Sequence, residues 1–234
     1  MSLLTVVQDF CRRTNGLSVP TSVLSNTDDG IQQVYALILE EGEDLLTRGD
    51  WQQLVKEATH TTVATESQGL ITAIATDGFQ RFKNETFWNR SNQLPIYIVE
   101  GQEWQALKAV TNTGPNYQVR LRGNELLANP VPDAGLTWVF EYVSNKWITS
   151  ADGATLKSDF TVDTDLMLFP ESLVKMGLRW RWKKEKGFEY AEDFRTYESA
   201  LKHALGSNGL NQILDMGKSN KRIGVSVPQG SWPL

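Results

Sequence analysis

Hydrophobic positions along the chain change period twice. Behind Ser2, whose hydroxyl can accept from the free N–H groups of a helix start, Leu3, Val6, Val7 and Phe10 recur at spacings of three and four, which predicts a helix to about Thr14. Asn15-Gly16 stops it. Leu17 to Thr27, with Pro20 among serines, threonines and asparagines, reads as a connector. Ile31, Val34, Ile38 and Leu45 then restart the helical period and predict a second helix from about Asp29 to Thr47. Asp28 and Asp29 lie at the end where the helix dipole favours negative charge.

After Gly49-Asp50-Trp51 the period shortens. Thr59 to Ala64, Ile71 to Ala75, Phe79 to Phe82 and Pro95 to Val99 are β-branched or aromatic runs between turn residues, and they read as strands of one antiparallel sheet. Gly101 to Val110 is expected as a short helix laid on that sheet by Trp104 and Leu107. From Arg120 to Trp147 the pattern is that of a β-hairpin, with turns at Gly123-Asn124 and Asp133-Ala134-Gly135 and strand formers from Leu136 to Val143. Trp138, Phe140 and Tyr142 alternate there with Val139, Glu141 and Val143, so one face carries the rings.

Helical spacing returns near the end. Pro170 suits the first turn of a third helix reaching about Lys186, and Gly187 ends it. Phe188 to Leu205, with Tyr190, Phe194, Tyr197 and Leu201 at spacings of three and four, predicts a fourth, which should fold back antiparallel on the third. Ser207 to Leu234 holds Gly209, Gly217, Gly224 and Gly230, two prolines and only short apolar pieces, so it cannot fold alone. The expected fold is therefore α+β. A helical bundle forms from residues 1–50 and 166–206, an antiparallel β-domain with a short helix (51–165) is inserted between them, and an extended arm (207–234) follows.

Composition narrows the chemistry. A chain of 234 residues can bury roughly 70% of its unfolded surface without staples. The lone Cys11 excludes an internal disulfide and a thiolate zinc site; Arg12 and Arg13 beside it favour the thiolate, yet no histidine lies near in sequence to act as its base. His60 and His203 have no partner at metal-ligand spacing. Asp159, Asp163 and Asp165 lack the glycine and terminal glutamate of a calcium loop. Phosphate-cradling glycine motifs and a GxSxG elbow are absent from the sequence, so neither a cofactor nor catalysis is expected. The first residues carry charge by Asp9 without a basic lead-in, and no apolar run approaches the length of a bilayer, so no membrane partner is expected.

Charge singles out three groups. Glu40, Glu41, Glu43 and Asp44 crowd one and a half turns of the second helix, as a solvated face or as one lining a channel or facing another subunit. Arg179-Trp180-Arg181-Trp182-Lys183-Lys184-Glu185-Lys186 interleaves cations with rings, a pattern that can grip nucleic acid. At the end of a helix it reads better as dipole compensation and subunit contact through Arg179, Arg181, Lys183 and Lys184. In the arm, Lys218, Lys221 and Arg222 against Asp215 give about +2 on a chain of net charge −5, a balance that disfavours nonspecific DNA attraction by the whole molecule. Trp232, between Gly230 and Pro233, has no local core and is suited to a partner's groove.

Phe140-Glu141-Tyr142-Val143-Ser144-Asn145-Lys146-Trp147, together with Glu103-Trp104-Gln105-Ala106-Leu107-Lys108, Asp193-Phe194-Arg195-Thr196-Tyr197-Glu198 and the opening Met1-Ser2-Leu3-Leu4-Thr5-Val6, resembles the head-to-tail adaptor proteins of tailed bacteriophages. The likeness runs from Met1 to about Gly206. It implies a non-enzymatic virion protein at the head-to-tail interface, made in the host cytoplasm and assembled as a ring of about twelve subunits. Such a ring docks beneath the portal protein, extends the channel through which packaged DNA passes, and offers a platform to tail or nozzle proteins. By the same resemblance Lys218, Lys221, Arg222, Ile223, Val225, Val227 and Trp232 belong to a portal-binding arm. The alternatives are a DNA-binding regulator using the Arg179 to Lys186 run, and a small hydrolase using paired carboxylates among Glu40, Glu43 and Asp165.

Overall fold

The computed structural model describes residues 1–109 and 114–208. In chain order they form α1 (Leu3–Arg13), α2 (Asp29–Arg48), β1 (Val55–Thr61), β2 (Ser67–Leu70), α3 (Ile71–Ile74), β3 (Arg81–Phe82), β4 (Trp88–Asn89), β5 (Leu94–Pro95) and β6 (Tyr97–Ile98). There follow α4 (Gly101–Ala109), β7 (Gln118–Arg122), β8 (Glu125–Asn129), β9 (Thr137–Val143), β10 (Ile148–Thr149), β11 (Leu156–Lys157), β12 (Leu166–Met167), α5 (Glu171–Glu185) and α6 (Ala191–Asn208). The fold is α+β.

Each long helix starts where the chain offers an acceptor. Ser2 Oγ accepts from Thr5 N–H at 3.4 Å, and Asp28 accepts from Gly30 and Ile31 at 2.8 and 3.3 Å. Pro170 proves to be the residue before α5, its carbonyl taking the N–H groups of Leu173 and Val174. At the far end Gly187, at φ +72°, lets Phe188 N–H return to the Lys183 carbonyl at 2.8 Å. The fourth helix begins later than its spacing predicts, at Ala191, because Phe188 to Tyr190 are used in that turn.

α5 packs on α6, α2 and α1, so helices from both ends of the chain share one core. Two glycines permit the close approach: a Cβ on Gly177 would lie 2.1 Å from the Glu41 carboxyl carbon, and one on Gly42 would lie 2.3 Å from the Trp147 ring. Trp147 stacks on Phe169 with centroids 5.7 Å apart and meets Phe160 edge-on. Val143, at the end of β9, belongs to this same core and ties the β-region to the helices.

Among the described residues the β-region is three sheets, where the pattern predicts one. β9 is central to the largest, pairing with β1 along its whole length and with β3 and β4 on its other edge. A second sheet runs β2-β8-β7-β6, with β6 and β7 parallel, and the third is β11-β10-β12. The Arg120 to Trp147 stretch is thus not one hairpin. Only β7 and β8 close around Gly123-Asn124, whereas β9 crosses to another sheet. Ile71 to Ala75 is mostly the short helix α3 rather than a strand, its N–H at Ile71 bonded to the Asn124 carbonyl. The other predicted strands shift or break: β1 spans Val55–Thr61, and Pro95 to Val99 divides between β5 and β6.

Alternation along β9 works as expected. Trp138, Phe140 and Tyr142 are buried with Phe87, Tyr117 and Val119 in a second core, and Ala58, opposite Phe140 on β1, leaves room for the ring. Trp104 of α4 is buried with Val99 and Leu127, and Leu107 packs beside them, so this helix covers the outer face of the second sheet.

Candidate functional site

A cleft of about 730 Å³ lies on the helical layer, between the C-terminal end of α1 and α5. Its floor is Phe10, Met176 and Trp182; Phe10 and Trp182 meet edge-on at 5.8 Å. Phe188, 63% exposed, stands at its rim. Four cations line it: Arg13 from α1, and Lys175, Arg179 and Lys183 from successive turns of α5. Asp9 is shared by Lys175 at 2.6 Å and Arg13 at 3.2 Å; Asp193 is shared by Lys183 and, at 3.8 Å, Arg179. Even with Glu171 on Lys175 the rim keeps a positive surplus, and the side chains of Arg13 and Arg179 stay 64% and 54% exposed.

The basic run does not act as a block. Residues two apart on a helix point about 200° apart, so Arg179 and Lys183 face the cleft while Arg181 turns inward. There Arg181 is 6% exposed and gathers three carboxylates of α2: Nε to Glu41 at 2.8 Å, Nη2 to Asp44 at 3.0 Å, and Nη1 to Glu40. The expected channel or subunit face is accordingly an internal seam at Glu41 and Asp44. Glu43 alone of the four carboxylates is exposed without an ion pair among the described residues, and Arg181 is withdrawn from any subunit contact. Lys184 is exposed, its Nζ 5.9 Å from the Trp180 ring centre, and Trp180 packs on Phe194 and Tyr197. Both tryptophans of the run are packing residues.

Burial raises Glu41 to about 7, more than the hydrogen bonds and charge of Arg181 lower it. Its Oε1 and the hydroxyl of Tyr197 are buried side by side without a hydrogen-bond partner of ordinary geometry. Tyr197 is raised as well, first by burial and then by the Glu41 charge. A carboxyl near neutrality could exchange a proton, but Glu41 is fully buried, and its bond to Arg181 joins α2 to α5.

Cys11, Asp163 and Asp165 are held within the fold. Cys11 is buried in α1, and its thiol is raised by burial and by Asp28, which reverses the activation expected from Arg12 and Arg13. Asp163 ties the connector to the loop before β12, accepting from Ser22 Oγ at 2.6 Å and from the N–H groups of Val23 and Leu24. Asp165, fully buried, takes Lys157 Nζ at 2.7 Å and the N–H groups of Thr161 and Val162. Burial would raise Asp165, and these partners outweigh it and hold it at about 2. His60 is lowered by burial, and His203 is exposed on α6. No cluster of three metal-ligating side chains exists among the described residues.

Asp9, Lys175 and Phe188 have no site role in the sequence reading, and Arg13 has one only beside Cys11, although Lys175, Arg179 and Lys183 recur every fourth residue, as do Asp9 and Arg13. That spacing was the available signal. Lys218, Lys221, Arg222, Ile223, Val225, Val227 and Trp232 lie outside the described residues. Among the described residues no helix is long and apolar enough to cross a membrane. Comparison of the sequence with known protein families returned no match, and neither did comparison with curated proteins.

Proposed function

We propose that this chain is a structural subunit of a tailed-bacteriophage virion, a head-to-tail adaptor that forms a ring beneath the portal. The observation that carries this reading is the open cleft on the helical layer, where exposed cations and the exposed ring of Phe188 offer a surface broad enough for another protein. The resemblance of the Phe140 to Trp147 and Asp193 to Glu198 segments supplies the class of assembly. In it, the helical layer makes subunit contacts, the β-region faces outward or toward the tail, and the residues after Asn208 dock on the portal. The ring extends the DNA channel and receives tail or nozzle proteins. Its mechanism is geometric, since repeating a modest contact around a closed ring multiplies it.

Mixing the purified full chain with isolated portal protein, followed by electron microscopy, tests this directly. A collar of repeated copies beneath the portal is the expected image. Removing residues 209–234 should leave a folded protein that no longer joins the portal. A full chain that stays monomeric with portal at high concentration would sink the proposal.

The four cations of the cleft also favour a second reading, a DNA-binding protein. Its mark would be a duplex gel shift that weakens steeply with salt.

A further inference from the structure

The cleft between α1 and α5 belongs to the helical layer, and the β-region carries a surface of opposite charge. β6 is an edge strand of the β2-β8-β7-β6 sheet, and beside its Tyr97, 62% exposed, the chain carries the exposed Glu100 and Glu103. Neither glutamate forms an ion pair among the described residues, although the Arg120 guanidinium lies against the neighbouring Gly101. Large rings and edge strands left open to water are what a subunit interface covers.

We propose that this edge of one copy, Tyr97 to Glu103, seats in the α1/α5 cleft of the next. Tyr97 would enter beside Phe188 over the apolar floor, and Glu100 and Glu103 would meet Arg179 and Lys183. Charge argues for this occupant: the cleft keeps a positive surplus on an acidic chain, and the edge supplies unpaired negative charge next to an exposed ring. Topology argues for it as well. The cleft is built on the helical core, whereas the edge belongs to the sheet packed around Trp104 and Leu127. Two different patches make a head-to-tail contact, which propagates from copy to copy and closes into a ring when the rotation allows. The inference rests on the ring reading and changes one part of it: the subunit contact is shared, the helical layer giving the cleft and the β-region giving the edge.

Charge exchange between full-length chains tests it, with assembly read by light scattering after size exclusion and folding read by thermal melting. The wild-type chain should assemble. Arg179→Glu with Lys183→Glu, or Glu100→Lys with Glu103→Lys, should each leave monomers, and mixing the two variants in equal amounts should restore assembly because a reversed cleft then meets a reversed edge. Should a charge variant fail to fold, the exposed rings serve instead: Phe188→Ser and Tyr97→Ser should each weaken assembly at least tenfold with melting unchanged.

Assembly indifferent to all these changes would overturn the pairing while leaving the ring reading in place. So would two monomeric variants that do not rescue each other. A wild-type chain monomeric alone and with portal would overturn both. Loss of salt-dependent duplex binding in the Arg179→Glu, Lys183→Glu variant, with assembly intact, would assign the cleft to nucleic acid and also overturn the pairing.

Discussion

The helical layer and the β-region close their cores with different chemistry. Around β9 the core is rings: Phe82, Phe87 and Phe140 lie with centroids 4.8 to 6.1 Å apart, Trp138 meets Phe87 and Tyr117, and no ion pair among the described residues enters it. Between α2 and α5 an apolar core is crossed by a buried guanidinium holding three carboxylates over a glycine. Strands in register are positioned by their ladder of backbone bonds, so side chains there need only fill space. Helices from opposite ends of a chain have no such ladder. A directional contact such as Arg181 with Glu41 fixes which turn of α2 meets which turn of α5, a role buried ions are suited to even when they add little net stability.

That contrast can be broken at several points. Arg181→Met should have the largest effect, about 3–5 kcal/mol in urea unfolding near pH 8, because it strands a buried carboxylate. The loss should shrink toward pH 5, where Glu41 can protonate, and Glu41→Gln added to Arg181→Met should recover part of it. If Arg181→Met costs no more than an exposed substitution, the seam has no structural role. Phe87→Ala in the β-region should cost about 3–5 kcal/mol as well, but with no dependence on pH in that range.

Gly177→Ala comes next. Its Cβ would press on the Glu41 carboxyl, so about 1–3 kcal/mol should be lost although alanine favours helix. Asp165→Asn should cost about 1–3 kcal/mol through its lost charge-assisted bonds. Because Asp165 sits at about 2, below its ordinary value, its stabilisation is present above about pH 4 and lost as pH falls through 2; the variant should flatten that acid limb. Glu41 alone is read from the pH profile rather than from a loss at one pH. Raised to about 7, it contributes stability that is full below about pH 4.5 and lost as pH rises through 7, so Glu41→Gln should flatten the unfolding profile between those values.

Local patterns determined the elements whose partners are near or whose faces are unambiguous. Spacing in α1 and α2, the cap at Ser2, the negative charge at the start of α2, the glycine stop of α5 at Gly187 and the aromatic alternation of β9 all follow from single-residue chemistry, and so does the α+β class. Tertiary structure decided what those elements touch. Strand spacing looks the same whichever sheet a strand joins, so β9's pairing with β1 and β4, and the capture of Ile71 as a helix against Asn124, could not be read locally. The same holds for the charges. Glu41 and Arg181 sit in runs that look solvated in sequence, and only the meeting of α2 with α5 turned them into a seam while leaving Arg179 and Lys183 to face outward. A side chain's type sets what it can bind, but burial and neighbours 140 residues away set what it does bind.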